Sequence, residues 1–155
     1  MPTTNAGVKK VMRDIEFRAK VKGDAGVYKV WGINWLHQKM LIERACGNEE
    51  VSFDKIEGLM QFTGLTDKNK VRIYEGDIVR RFLLAGDHPT HLGIVEWLWC
   101  SFQVKYKKGS HPLWQGEDTA GYFHIDLFRW AKDVSFGTEI IGNIYEYDLD
   151  GTRKT

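Results

Sequence analysis

The chain has 155 residues, 43% of them hydrophobic and 13% aromatic, a composition typical of one folded domain or two very small ones and unlike that of a disordered chain. Its 22 Lys and Arg residues are balanced by 21 Asp and Glu residues, so it lacks the basic excess typical of proteins that neutralise phosphate. No apolar stretch approaches the roughly 18 residues of a membrane helix, and no apolar run follows Lys9 and Lys10 as in a signal peptide. We therefore expect a cytoplasmic protein.

The first part of the chain predicts an antiparallel β-meander. Residues 1–11 are small and polar, and we expect a flexible leader there. Apolar and charged residues alternate over residues 13–20, as in a half-buried strand, and residues 27–36 and 39–44 have the β-branched and aromatic composition of two more. Residues 12–58 are therefore predicted to form an N-terminal β-rich subdomain.

The middle of the chain is less regular. Residues 47–50 are predicted to be a break, and residues 54–62 a turn or one-turn helix that leads into a strand. A polar hairpin tip is expected at residues 66–70, followed by residues 71–81, in which Gly76 and Asp77 are expected to open the first strand of the barrel.

Two consecutive segments near residue 100 give the clearest strand patterns. Residues 91–100 and 101–108 alternate between apolar and polar side chains. A loop is predicted over residues 109–121, apolar character resumes over residues 122–130, and residues 139–147 are expected to form the closing strand.

The predicted fold is mainly β, of a β-rich α+β kind, in which the N-terminal meander is followed by a small SH3-like β-barrel. The barrel is assigned to residues 59–148, and residues 149–155 are expected to be a flexible tail.

Six short segments, in their order and spacing, resemble the YopX family. They are Arg13–Ala19, Leu59–Leu65, Asp67–Asn69, Ile73–Val79, Gly93–Trp97 and Ile140–Glu146. The resemblance extends from Met12 to about Asp148. It implies a phage or prophage origin, and it supplies no catalytic residue because the family has no established activity.

One position departs from the family pattern, in which the tip reads Asp-Lys-Asn-Gly and this chain has Lys70 in place of the glycine. A positive φ there would cost about 1 kcal/mol relative to glycine. The shared residues Gly64, Gly76, Gly93 and Gly142 are interpreted as structural, at points where strands start, bend or approach closely.

No metal, cofactor or disulfide site is predicted. His88 and His91 lack the further ligands of a zinc site, and spacing alone does not bring His111 and His124 to a catalytic partner. The cysteines, Cys46 and Cys100, are predicted to be reduced, buried thiols.

Glu75 and Asp77 form the most conspicuous acidic pair. As alternate residues of one strand they would share a face about 7 Å apart, a separation compatible with glycoside hydrolysis. Charges that cap a turn or protect a strand edge are commoner. Because no other catalytic motif is present, we predict that the chain is not an enzyme.

Aromatic and basic residues leave two interpretations open. In one interpretation, the basic residues and the tryptophans together line a nucleic-acid-binding surface. In the other, the tryptophans fill the core. The basic set is Arg80, Arg81, Lys105, Lys107 and Lys108. The tryptophans are Trp31, Trp35, Trp97, Trp99, Trp114 and Trp130. The inward packing is preferred because no net basic charge supports the alternative.

The expected function is that of a non-catalytic protein-binding oligomer, which could act on a host or phage factor. Exposed strand edges and surplus aromatic side chains would provide its contacts with itself or with a protein partner. The alternative is a nucleic-acid-binding β-barrel, whose affinity would fall steeply with salt.

Overall fold

The computed structural model describes residues 14–83, 89–107, 122–132, 136–148 and 153–154. Its strands are β1 (Phe17–Val21), β2 (Val27–Asn34), β3 (Lys39–Arg44), β4 (Gly47–Ser52), β5 (Ile56–Thr66), β6 (Arg72–Tyr74), β7 (Asp77–Leu83), β8 (Pro89–Leu98), β9 (Ser101–Lys107), β10 (Tyr122–Asp126) and β11 (Phe136–Asn143). A 3₁₀ turn spans Phe53–Lys55, and helix α1 spans Leu127–Lys132. The prediction of a mainly β chain is confirmed.

The strands form two antiparallel sheets. The first has the order β4-β3-β2-β1-β5-β6 and the second the order β10-β9-β8-β7-β11. Over the described residues the second sheet is open, so the closed barrel expected there is not formed. The predicted boundary between residues 58 and 59 lies inside β5, which pairs with β1 in the first sheet.

One face of the first sheet buries an aliphatic core. Ala19 and Val21 of β1 pack there with Met40, Ile42 and Val51 of β3 and β4, all of them 5% exposed or less. Alternate residues of a strand point to opposite faces, so the period-2 pattern of β1 places its apolar residues on this side.

The second sheet builds its core around Trp130, which is 1% exposed. The indole lies with Val79, Val95 and Val104, one from each of the three central strands, and α1 carries it to that position. Ile73 of β6 belongs to the same cluster although β6 pairs in the first sheet. The two sheets therefore share buried contacts.

The opposite face of the first sheet meets the second sheet at a junction. Met60, Phe62 and Tyr74 form a small buried cluster there, with Val27 and Tyr145 packed against it. Tyr145 lies over Gly58, where an added Cβ would collide with the phenol. Glycine at residue 58 thus permits the close approach of the segment that follows β11.

One prediction in the middle of the chain is wrong and another is confirmed. Residues 47–50 belong to β4 instead of forming a break, whereas a strand, β7, does open at Asp77. Glu75 and Gly76 separate β6 from β7, and Gly76 has a φ of +78°. A positive φ is the conformation for which glycine carries no Cβ penalty.

The polar tip after β5 is a tight turn organised by Asp67. Its carboxylate accepts hydrogen bonds from the Asn69 and Val71 amides, at 2.8 and 2.9 Å, and from the Ile140 amide of β11 at 3.3 Å. Lys70 has a φ of +64°. Lys70 therefore adopts, at the position where the family pattern has glycine, the left-handed conformation that favours glycine.

Several predicted segments lie outside the described residues. They are the leader at residues 1–11, the loop at 109–121 and most of the tail at 149–155. Within the tail, Arg153 forms an isolated antiparallel bridge with Tyr147.

Candidate functional site

The junction between the sheets contains a buried carboxylate, that of Asp77. Asp77 begins β7 and is 1% exposed, and its Oδ2 accepts a hydrogen bond of 2.8 Å from the Tyr74 amide. Arg18 of β1 approaches from the other sheet, with Nη1 3.9 Å from Oδ1 of Asp77. The same guanidinium lies 3.9 Å from the centre of the Tyr74 ring, a cation–π geometry.

Burial raises the pKa of Asp77 to about 7. The Tyr74 amide and the Arg18 charge oppose this shift, whereas the negative charges of Glu146 and Asp67 reinforce it. A carboxyl group that titrates near neutrality is suited to general acid–base chemistry. The Asp77 carboxyl group is buried, and its Oδ2 already accepts a hydrogen bond from the Tyr74 amide, so the geometry favours a structural role.

The predicted pairing of Glu75 with Asp77 on one strand face is wrong. Glu75 lies in the turn between β6 and β7, whereas Asp77 is the first residue of β7. Glu75 is partly exposed and Asp77 is buried, so the two carboxylates do not face one substrate together.

A second polar network borders the junction. Glu16 binds the Arg72 guanidinium and accepts a hydrogen bond of 3.1 Å from the Tyr74 hydroxyl. The Arg72 hydrogen bond lowers the pKa of Glu16, whereas burial, followed by the hydrogen bond to Glu16, raises the pKa of Tyr74. Tyr74 thus connects Glu16 to Arg18, which lies over its ring.

A cleft of about 160 Å³ opens beside this junction. Its apolar lining includes Met60, Ile94 and Ile144, and the carboxylate residues Glu75 and Glu96 also contribute to its wall. The cleft lies where β5, the β6–β7 turn, β8 and the segment after β11 meet.

Another surface is formed by the hairpin of β2 and β3. Trp31, Trp35 and Leu36 are 54%, 72% and 86% exposed, and we call these three residues the hairpin surface. Lys29 lies over the Trp31 ring, with Nζ 4.1 Å from its centre. Trp35 contacts Phe53 edge-on, with ring centres 5.5 Å apart.

Residues 16–148 match the family model described as YopX protein. The chain belongs to the YopX family. The resemblance seen in the sequence is thereby confirmed over most of the chain. No curated protein matches it. Membership of the YopX family assigns no activity to this chain.

This YopX chain does not bury most of its tryptophans. Trp31, Trp35, Trp97 and Trp99 are at least 49% exposed, so the preferred inward packing is wrong for them. It is right for Trp130, and Trp114 lies outside the described residues.

The predicted nucleic-acid residues do not share one face of this YopX chain. Arg80 lies 2.6 Å from Glu139 and Lys105 lies 3.5 Å from Glu96, so each is accompanied by a carboxylate. Arg81, next to Arg80 in the strand, points to the opposite face, with its guanidinium 5.0 Å from the Trp130 ring centre. The Lys107 side chain and Lys108 lie outside the described part of the chain.

The remaining candidates from the sequence are four histidines. His91 packs against Tyr106 and Trp130, while His88, His111 and the side chain of His124 lie outside the description. In the described ranges, no group of His, Cys, Asp and Glu is arranged to hold a metal ion. Among those same residues, no helix is long and apolar enough to cross a membrane.

The two thiols are placed differently from the sequence prediction. Cys46 and Cys100 are free, as predicted, but both are exposed, so the expected burial is wrong. Each lies at a hairpin turn, Cys46 between β3 and β4 and Cys100 between β8 and β9.

Sequence reasoning missed the hairpin surface, although the sequence contains a signal for it. Alternation in β2 places Tyr28 and Val30 on the core face and therefore Trp31 on the opposite face. The register of β2 and β3 shifts between Val30 and Gly32, and after this bulge Ile33 packs on the core face again. The exposed position of Trp31 thus follows the period of the strand up to the bulge.

Proposed function

We propose that this YopX chain is a non-catalytic protein-binding protein that self-associates through the hairpin surface. The observation that carries the proposal is the exposure of Trp31, Trp35 and Leu36 within a single hairpin. Folded proteins expose isolated apolar side chains routinely, whereas large ones concentrated on one element are typical of interaction sites.

The chemistry of the hairpin surface suits a protein interface. Tryptophan is among the residues that contribute most to binding energy when they are buried at an interface, since it removes a large apolar area from water at low conformational cost. Trp31 lies in β2, and Trp35 directly follows Asn34, the last residue of that strand, so both belong to one hairpin. The apolar stem of Lys29, whose Nζ lies over the Trp31 ring, adds to this surface.

The edge of the first sheet is a weaker candidate for self-association. Its edge strand, β4, carries exposed Glu49 and Glu50, which pair with Arg44 and Lys39 of the neighbouring strand. Two copies joined at this edge would bring several carboxylates together, and charged edge residues are a common protection against such pairing. Apolar contact through the hairpin surface has no such cost.

Sedimentation equilibrium on purified protein tests the proposal. The monomer mass is 17.9 kDa, and we expect the average mass to rise with concentration towards at least a dimer. In the double variant Trp35→Ser/Leu36→Ser, the dimer dissociation constant should rise by more than about tenfold, since the loss of two exposed apolar anchors removes over 1.4 kcal/mol. The matched control is Ile15→Ser, which removes an apolar side chain that is 66% exposed outside the hairpin.

Two outcomes would overturn the proposal. One is a wild-type chain that remains monomeric at every concentration, and the other is a double variant that associates as tightly as the wild type. If nucleic acid co-purifies and is released by salt, the alternative of a nucleic-acid-binding protein would take its place.

A further inference from the structure

We propose that the cleft at the sheet junction is a docking site for one lysine or arginine side chain of a protein partner. This site is separate from the hairpin surface, and the inference does not depend on self-association.

The size of the cleft selects a single side chain as its occupant. Its volume is about 160 Å³. Pockets for small molecules and cofactors occupy about 300–1,000 Å³, so a nucleotide or a drug-sized ligand is too large. Water takes about 30 Å³ per molecule in the liquid, so the cleft holds the volume of about five waters, which one long side chain would displace.

The lining of the cleft matches the two parts of a basic side chain. Met60, Ile94 and Ile144 provide apolar surface, which suits the methylene stem of lysine or arginine. Glu75 and Glu96 provide carboxylates for the cationic head. An acidic side chain would be repelled by the same carboxylates, and a neutral apolar one would leave Glu75 without a counter-charge.

The charge around the cleft is incompletely balanced. Glu96 lies 3.5 Å from Lys105, but in the described part of the chain Glu75 has no ion-pair partner. Burial, and then the negative charges of Glu57 and Glu75, raise the pKa of Tyr145 in the cleft wall. Tyr145 therefore lies within reach of the negative charge of Glu75.

A basic residue of the C-terminal segment, Lys154, is already engaged. Lys154 Nζ donates a hydrogen bond of 2.7 Å to the Ile144 carbonyl and lies 3.7 Å from Asp148. Lys154 is therefore not the cation that pairs with Glu75, and we assign that role to a partner side chain.

An NMR titration of the full chain tests the inference, with N-acetyl-lysine N-methylamide as the probe and the norleucine analogue as its uncharged isostere. We expect the amides of Gly76, Ile144 and Tyr145 to shift with the lysine probe at concentrations where norleucine has a smaller effect. Glu75→Gln should weaken binding of the lysine probe roughly two- to fivefold, the range for a partly exposed charge pair. It should leave the norleucine response unchanged.

Two controls separate this site from the rest of the molecule. Glu49→Gln removes a carboxylate from β4, outside the cleft, and should not change binding of the lysine probe. The hairpin variant Trp35→Ser/Leu36→Ser should also bind it normally, so failure of self-association and failure of this site are distinguishable. Equal responses to both probes, no shift in the cleft, or an unchanged affinity in Glu75→Gln would overturn the inference.

Discussion

The Arg18 guanidinium faces the Asp77 carboxylate across the junction of the two sheets, with Nη1 3.9 Å from Oδ1. Arg18 lies in β1 of the first sheet and Asp77 in β7 of the second, so the contact connects the two halves of the core. The separation is long for an ion pair, and Arg18 also lies over Tyr74. Burial raises the pKa of Asp77, and Arg18 offsets only part of the cost of burying a charge there.

The first prediction concerns the pH dependence of stability. Because the pKa of Asp77 rises from 3.8 to about 7 on folding, the folded chain binds more protons than the unfolded chain between these values. The contribution of Asp77 to stability is thus full below pH 3.8 and declines as pH rises to about 7, by at most about 1.4 kcal/mol per pH unit. Above that pH it stays constant.

Asp77→Asn isolates this contribution. The variant keeps an oxygen that can accept the Tyr74 hydrogen bond but cannot ionise. We expect its stability relative to wild type to increase between pH 5 and pH 8 in urea unfolding measurements. A difference that does not change with pH would contradict a buried, neutral-range Asp77, and Glu49→Gln provides the comparison for an exposed carboxylate.

A second prediction concerns the turn organised by Asp67. The carboxylate is 7% exposed and accepts three backbone amides, one of them from Ile140 in the other sheet. Asp67→Ala leaves these donors without their acceptor and should lower the free energy of unfolding by about 2–4 kcal/mol. Asn69→Ala changes a neighbouring exposed side chain and should cost much less. Thermal unfolding that is equal for both variants would show that the carboxylate does not hold the turn.

Lys70 is the subject of the third prediction. Its φ of +64° is strained for any residue with a Cβ, so the family glycine should be better at this position. We expect Lys70→Gly to be about 1 kcal/mol more stable than Lys70→Ala, which loses the same side chain but keeps the strain. Chemical denaturation of the two variants measures the difference, and an alanine variant that is equally stable would indicate a relaxed turn.

The fourth prediction uses two glycines of the first sheet. An added Cβ at Gly58 would collide with Tyr145, whereas at Gly32 it would have no atom within 4 Å. Gly58→Ala should therefore destabilise the chain by about 1–3 kcal/mol, as overpacking does, and Gly32→Ala should be close to neutral. Replacement of Tyr145 by alanine should remove the difference between the two. Equal effects in the presence of Tyr145 would mean that the junction is loosely packed.

Alternation predicted the strands that have one buried and one exposed face. It located β1 and the hairpin β8–β9, in which apolar and polar side chains alternate, while β-branched and aromatic composition located β2 and β3. It failed at β4, where Val51 is the one buried residue and the others are exposed or partly exposed, so an edge strand has little apolar signal. The three residues of β6 are too few for a period to indicate a separate strand.

The candidate sites were less accessible to sequence reasoning. Alternation places Trp31 on the face opposite Val30, but whether that face is covered depends on how the sheets pack. The contact of Arg18 with Asp77 joins residues far apart in the chain, and so does the cleft, whose walls come from both sheets. Contacts of that kind follow from sheet topology, which periodicity does not specify.

The most direct test of the central claim is the solution mass of the wild-type protein by light scattering, measured over a range of concentrations at low and moderate salt. Self-association through exposed apolar side chains predicts a nucleic-acid-free species heavier than the 17.9 kDa monomer, with a mass that moderate salt does not reduce. A monomer throughout, or a heavier species that contains nucleic acid and dissociates in salt, would contradict it.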